Sequence, residues 1–453
     1  MKKTLLWLLI VMLSVSMIAT FSLAGCKEEE AAEEEAVVVE EEAEEEVVAE
    51  EEEEEEVKEE ASGELVFNSF RSEPAQKAVI EELVAKFEEL NPDVNVTLNT
   101  TATEEFKNSV RLWLASDDPP DVITWFAGNR AMYFVDKGLI LDISDVWEKA
   151  DLANQFAKAF QSISYKDGKA YFLPEAYYGW AVYYRKSIFE EYNLSEPKTW
   201  EEFLEVCATL KENGITPITI GTKGRWTAAG WFDYLNMRIN GPEFHMGLML
   251  GTEKYTDPRL LKVFEAWRKL VDRGYFTENA ASYSWQEAIP FLAQGESAMY
   301  LMGQFVLNSI PEDIQPDMDF FQFPIIDPSV PIGEDAPTDG YMIPAKAKNV
   351  ENAKIFLTFL ASLEAQNITA EKLGRIMTNK DVSLDIYPPL TQKSITQMQS
   401  VDALGQFYDR DTLPEIADKG MDVFMEFWDN PDKIQELLER LEEDRQRIFE
   451  EQE

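Results

Sequence analysis

A chain of 453 residues with 45% hydrophobic and 12% aromatic side chains holds enough apolar material for a large core or two lobes. Its formal net charge of −45 argues against nucleic acid and anionic lipid headgroups as partners. With one histidine and two cysteines it has no His/Cys cluster for zinc and no nucleophile paired with a histidine, so neither a metal, a cofactor nor covalent catalysis is expected.

The chain opens with a targeting segment, residues 1–25. Lys2 and Lys3 precede an apolar run from Leu5 to Ile18 that is short for a membrane span. The run leads into Leu23-Ala24-Gly25-Cys26, which resembles the bacterial lipoprotein signal, where small residues precede a cysteine that is lipidated and becomes the new N-terminus. That resemblance implies export and a lipid anchor on Cys26 at the outer face of the cell membrane or its periplasmic side. Each buried acyl CH₂ contributes roughly 0.8 kcal/mol, so several chains on one cysteine hold a protein durably. Residues 26–62 then read as a tether. Between 27 and 60 stand 21 Glu against 2 Lys, and self-repulsion without large apolar groups keeps such a stretch extended. Cys207 is left without a disulfide partner and reads as a buried thiol.

Order begins near Gly63. Leu65-Val66-Phe67 reads as a buried strand, followed by a helix with Ile80, Leu83, Val84, Phe87 and Leu90 at helical spacing. Val94 to Leu98 alternates as a second strand, and a helix follows with Phe106, Val110, Leu112, Trp113 and Leu114. Val122-Ile123-Thr124-Trp125 is a third strand after Asp118-Pro119-Pro120-Asp121. Strand and helix alternating at these intervals predict an α/β domain with a largely parallel sheet, whose ligands sit beyond the carboxyl ends of the strands. Further on, a helix is expected over Asn352–Leu363. A last helix carries Ile434, Leu437, Leu438, Leu441 and Ile448, with Asn430 as its cap and Pro431 at its first position.

Several motifs together resemble the extracellular solute-binding proteins of ABC importers, in the carbohydrate-binding branch that includes maltose-binding protein. They are the Pro120-Asp121-Val122-Ile123 strand entry, Lys137-Gly138-Leu139, Tyr165-Lys166-Asp167-Gly168-Lys169, Pro197-Lys198-Thr199-Trp200-Glu201-Glu202-Phe203, Phe291-Leu292-Ala293-Gln294-Gly295-Glu296 and Thr338-Asp339-Gly340-Tyr341. Their order covers about residues 63 to 430. The resemblance implies a two-lobed periplasmic-binding-protein-like α/β fold with a hinge and an interlobe ligand cleft. It places an N-lobe at 63–173 completed by 339–375, and a C-lobe at 174–338 completed by 376–453. The crossings would fall near Phe172–Ala176 and Ala336–Tyr341. The partners it implies are a small-molecule sugar and the transmembrane subunits of an ABC permease, and the receptor would act as a monomer.

A sugar offers an apolar CH face and a belt of hydroxyls, so its site needs flat rings and planar polar groups. Carried over by position, the resemblance proposes Arg71, Trp125, Asn129, Arg130, Tyr177, Tyr178, Trp226, Phe305, Asp339 and Tyr341 as ligand contacts. Asp409 and Arg410, in a loop before Pro414, are added as a charged pair that reaches the cleft. Asn129 and Tyr178 stand where maltose-binding protein has acids, which argues against maltodextrin without arguing against sugar. The alternative is the same fold holding a peptide, a polyamine or a glycerophosphodiester. An enzyme is not expected, because nothing in the sequence positions an acid and a nucleophile for glycoside hydrolysis.

Overall fold

The computed structural model describes residues 62–451. The expected signal segment, Cys26 and the tether through residue 61 lie outside the described residues.

Strand β1 (Gly63–Ser69), helix α1 (Pro74–Leu90), strand β2 (Val94–Thr100), helix α2 (Thr103–Ala115), strand β3 (Val122–Phe126) and helix α3 (Asn129–Asp136) open the first body. β1 pairs in parallel with both β2 and β3. α1 turns Ile80, Leu83, Val84 and Phe87 onto the sheet, the three-to-four spacing that places side chains on one helix face. Leu112, expected to be apolar core, is 74% exposed, because it stands two residues from the buried Val110 and so faces away from it.

The chain then forms β4 (Leu173–Tyr177) and β5 (Trp180–Arg185) with only Tyr178 and Gly179 between them. β4 belongs to a six-stranded sheet and β5 to a four-stranded one, so the chain crosses between bodies at these two residues. The crossing expected at Phe172–Ala176 is therefore displaced. Those residues are still paired within the first sheet, and that pairing is not visible locally. Helix α4 (Trp200–Glu212), β6 (Thr216–Ile218), α5 (Trp226–Asn240), β7 (Ser297–Gly303) and β8 (Met318–Phe321) build the second body. β9 (Gly333–Asp335) and β10 (Thr338–Met342) return the chain across Ala336-Pro337. Helix α6 (Val350–Ala361) and β11 (Ile376–Met377) follow, then β12 (Ala403–Gly405), the one-turn helix α7 (Tyr408–Asp411), α8 (Pro414–Asp429) and α9 (Ile434–Glu450).

The first sheet runs β11-β4-β10-β3-β1-β2 and the second β8-β5-β7-β6, while β9 and β12 pair separately. Only β1, β2 and β3 meet the parallel expectation in the first sheet, since β10 runs antiparallel to β3 and β4. Ile376–Met377, assigned from sequence to the C-lobe, form its edge strand against β4. A Cβ on Gly340 would stand 2.1 Å from the Leu173 carbonyl oxygen, so glycine permits the close approach of β10 to β4 where the register shifts between Asp339 and Gly340. α7 is a helical turn where a loop was expected. Asn430 makes no side-chain cap bond, because a 3₁₀ turn at Pro431–Lys433 intervenes before α9. Leu437, Leu438, Leu441 and Ile448 are buried as the spacing requires. Cys207 is a buried free thiol, with its pKa pushed up by burial. No helix among the described residues is long and apolar enough to cross a membrane.

Candidate functional site

A cavity of about 690 Å³ of empty space, open solvent at its mouth included, lies where the two bodies meet. From the first body it takes Phe70, just past β1, Phe126 at the end of β3, and Asp339 of β10. The second body supplies Trp226, the first residue of α5, together with Trp285 and Phe305. Tyr178 sits at the crossing, and Phe407 and Arg410 come from the turn around α7.

The rings are set edge to face. Trp285 meets Phe305 at 5.1 Å between centroids and 76°, Trp226 meets Trp285 at 6.4 Å and 63°, and Tyr178 meets Phe305 at 5.0 Å and 89°. Trp226, Trp285 and Phe305 are half-buried, so one side of each remains open. Behind them, Trp180 stacks on Phe407 at 4.7 Å and 26°. Phe407 has φ 133°, a strained region for a residue with a side chain.

Glu73 apart, the charged groups of the cavity are paired within the protein. Its acids are Glu73, Asp339 and Asp409, and its bases Lys107, Arg375 and Arg410. Asp339 accepts from Arg410 Nη1 on one oxygen and from Arg375 Nη1 on the other, each at 3.1 Å. Arg410 also donates to the Tyr178 hydroxyl at 2.8 Å and lies over the Phe126 ring at 4.3 Å. Asp409 accepts from Arg130 Nη1 at 2.6 Å and from Lys107 Nζ at 3.5 Å. Burial raises the Asp409 pKa, but Lys107, Arg130 and Arg410 outweigh it and hold the carboxyl down at about 2. For Arg410 the opposing effects are burial, which lowers its pKa, and Tyr178, Asp339 and Asp409, which leave it raised. Glu73 accepts from Gln286 Nε2 at 2.9 Å.

Of the residues expected from sequence, Tyr178, Trp226, Phe305, Asp339, Asp409 and Arg410 line this cavity. Four others are corrections. Trp125 is 1% exposed and packs on Phe106, Phe126 and Phe134 in the core; the ring β3 gives the cavity is the next one, Phe126. Arg71 is buried in an ion pair with Glu175, whose Oε1 also accepts from the Tyr341 hydroxyl at 2.6 Å. That triad ties β4 and β10 to the end of β1. Tyr177 packs on Phe160 at 5.1 Å, with its pKa pushed up to about 12 by burial and then by Tyr387. Asn129 and Arg130 stand beside the cavity and hold α7: Asn129 Nδ2 donates to the Asp411 carbonyl at 2.6 Å, and Arg130 Nη1 to the Asp409 carbonyl at 2.9 Å.

Phe70, Phe126, Trp285, Phe407, Glu73, Gln76, Lys107, Gln286 and Arg375 line the cavity and are not among the contacts proposed from sequence. Phe70 and Phe126 each adjoin a residue that is, but Phe70 lies just past β1 and every residue of β3 is buried, so no alternation marks the one that faces the cavity. Lys107 sits on α2, one of the few cations on that helix. Nothing local marks Trp285 or Phe407.

His245 is remote from the cavity. It is buried beside Asn236, Nδ1 to Nδ2 3.0 Å, and burial lowers its pKa to about 3, so the neutral imidazole is a packing group.

The bacterial extracellular solute-binding protein family model matches residues 72–367. The chain belongs to that family. This binding protein is 28% identical over 333 residues to an uncharacterised ABC transporter extracellular-binding protein of Pyrococcus horikoshii, covering 72% of this chain and 74% of that one. It is 24% identical over 332 residues to the multiple sugar-binding protein of Streptococcus mutans, covering 71% and 77%. Among solved structures it resembles the bacterial solute receptor AcbH, described as having an exclusive preference for β-D-galactopyranose. That match has a TM-score of 0.81 and 32% identity, covering 86% of this chain and all of the other. A chitin oligosaccharide binding protein shares the fold at a TM-score of 0.78 and 24% identity, covering 85% and 98%.

Proposed function

We propose that this solute-binding protein captures a sugar in the cavity between its lobes and delivers it to an ABC permease, held at the membrane by lipid on Cys26. The observation that carries the sugar reading is the combination of half-buried rings with charges that, Glu73 apart, are already paired. Three acids and three bases line the cavity, and both Asp339 and Asp409 are neutralised by cations of the protein itself. A polyamine would find no uncommitted acid pair, and a phosphate ester would have to displace Asp339 or Asp409 from its cations. A neutral polyol with one apolar face requires neither change. The rings take its CH face, and the paired groups keep spare donor and acceptor capacity for hydroxyls. The relatives named for sugar binding support the same reading. The family is one of binding proteins.

A thermal-shift screen of the mature chain against monosaccharides, oligosaccharides, amino acids, polyamines and phosphate esters tests this. A sugar at 100 times its dissociation constant stabilises the fold by about 2.7 kcal/mol, a clear rise in Tm. Stabilisation by amines or phosphate esters with none by sugars would sink the reading. The mass of the chain extracted from membranes, acylated at Cys26 or not, decides the anchor.

A further inference from the structure

A second, wider groove lies outside the first cavity and shares three of its residues, Glu73, Gln76 and Gln286. The groove has about 1380 Å³ of empty space, open solvent included. The two spaces are separated where Glu73, immediately before α1 on the first body, accepts from Gln286 of the second body at 2.9 Å. The Gln76 amide, on α1 one turn past Glu73, lines both spaces. It is 7% exposed, and no described group hydrogen-bonds to it, which leaves a polar group at the threshold for a ligand to use.

The two sides of this threshold differ in chemistry. All the rings are inside, and the outer groove is lined by proline, alanine, isoleucine and polar side chains without one aromatic. Trp226, Trp285 and Phe305 are not laid end to end. Their centroids lie within 6.4 Å of one another at steep angles, which walls a corner the size of one ring. A chain of sugars held by stacking needs successive platforms, one per residue, and the outer groove has none.

Building on the sugar reading, we propose that the Glu73–Gln286 hydrogen bond is a latch that sets ligand length. With the latch shut, the inner cavity takes a single sugar ring. A longer glycan binds only with the latch broken, its second residue passing Gln76 into the outer groove, where it gains no stacking partner. Glu73 and Gln286 are thus specificity-determining residues. Glu73 is well suited to the role, because it makes no side-chain cap bond to α1 and no cation among the described residues pairs with its carboxylate.

The test uses isothermal titration of the full chain with methyl β-D-galactopyranoside and with the corresponding β-1,4-linked disaccharide and trisaccharide, and with the glucose series in parallel. The wild type is expected to bind the monosaccharide of one series at least tenfold more tightly than its disaccharide. In Glu73→Ala and Gln286→Ala that ratio is expected to fall at least tenfold. Glu73→Gln, which keeps an acceptor for Gln286, is expected to retain it. Circular dichroism confirms that each variant is folded before its ratio is read. Wild-type binding of disaccharide or trisaccharide as tight as that of the monosaccharide overturns the latch while leaving the sugar reading intact. An unchanged ratio in both alanine variants does the same. Absence of binding by any saccharide in either series or in the wider screen overturns both.

Discussion

At the scale of single residues, the two kinds of tryptophan in this protein are expected to separate cleanly. Trp226 and Trp285 are half-buried with faces open to the cavity, whereas Trp125 is 1% exposed and surrounded by rings. Trp226→Ala and Trp285→Ala are each expected to cost about 1–3 kcal/mol of sugar affinity, the range known for bases stacked on aromatics, with a smaller loss of stability. Trp125→Ala is expected to cost about 3–5 kcal/mol of stability and to leave the affinity of the folded fraction unchanged. Titration calorimetry paired with urea unfolding reads both quantities, and a loss of affinity confined to Trp125→Ala would reverse the assignment. Sequence identified the right segments but at two places chose the neighbour of the residue that lines the cavity, Arg71 for Phe70 and Trp125 for Phe126, and at a third it named both Tyr177 and Tyr178 where only Tyr178 lines it. The cause is physical. All five residues of β3 are buried, so no polar alternation marks which face meets the cavity, and a slip of one residue exchanges the faces. Tyr341 was misplaced through the register shift at Asp339 and Gly340, which no local pattern announces.

At the scale of elements, local chemistry was readable and long-range pairing was not. Pro197-Lys198-Thr199-Trp200-Glu201-Glu202, the most recognisable stretch of the sequence, forms a reciprocal cap at the start of α4. Thr199 Oγ1 accepts from the Glu202 N–H at 3.3 Å, and Glu202 Oε2 accepts from the N–H of Thr199 at 3.0 Å and of Lys198 at 2.7 Å. Such a box satisfies donors that the first helical turn leaves free. Trp200 and Phe203 then seat the helix in the core of the second body. Thr199→Ala is expected to lower stability by about 1 kcal/mol without changing ligand affinity, since α4 contributes nothing to the cavity. Unfolding midpoints of wild type and variant, measured with and without ligand, check this, and a variant as stable as wild type would remove the cap from the account. The crossings are the opposite case. Tyr178 and Gly179 separate the bodies only because Leu173–Tyr177 find partners in β10 and β11, up to 201 residues away along the chain (Ala176 to Met377). Composition within a window of ten residues cannot encode that choice.

At the scale of the whole molecule, the turn that brings Phe407 and Arg410 to the cavity is held from behind by a group of buried acids, and this makes stability depend on pH. Asp411 Oδ2 accepts from the N–H of Gln406 at 2.6 Å and of Phe407 at 3.4 Å, which fixes the strained Phe407. A Cβ on Gly405 would stand 3.4 Å from Asp411 Oδ2 and 3.4 Å from Asp335 Oδ1. Both Asp335 oxygens are buried without a hydrogen-bond partner among the described residues. Nearby, Asp233 accepts from the Tyr408 N–H at 2.8 Å. Burial, and then the neighbouring acids, push Asp233 and Asp335 well above the usual carboxylate range. Burial raises Asp411 to about 6, although the two backbone N–H groups and Arg410 oppose it. A carboxyl with a raised pKa in the fold keeps its proton longer than in the unfolded chain. Its favourable contribution is therefore complete below the ordinary value near 3.8 and is lost as pH rises to about 6. Asp409, held at about 2, has the opposite sign and weakens the fold only as pH falls below about 4. The Asp411 change corresponds to about 3 kcal/mol at most, at roughly 1.36 kcal/mol per tenfold change in proton affinity. Asp411→Asn keeps an oxygen for the same two N–H groups and cannot ionise. The variant is expected to match wild type near pH 4 and to exceed its stability by up to about 3 kcal/mol at pH 7.5, with the gap opening between pH 4 and 6. Urea unfolding across that range, followed by tryptophan fluorescence, measures the gap. If it is constant with pH, or if the variant is weaker at pH 7.5, then burial does not raise Asp411 in the fold and the ionised carboxylate is the form that holds the turn beneath the cavity.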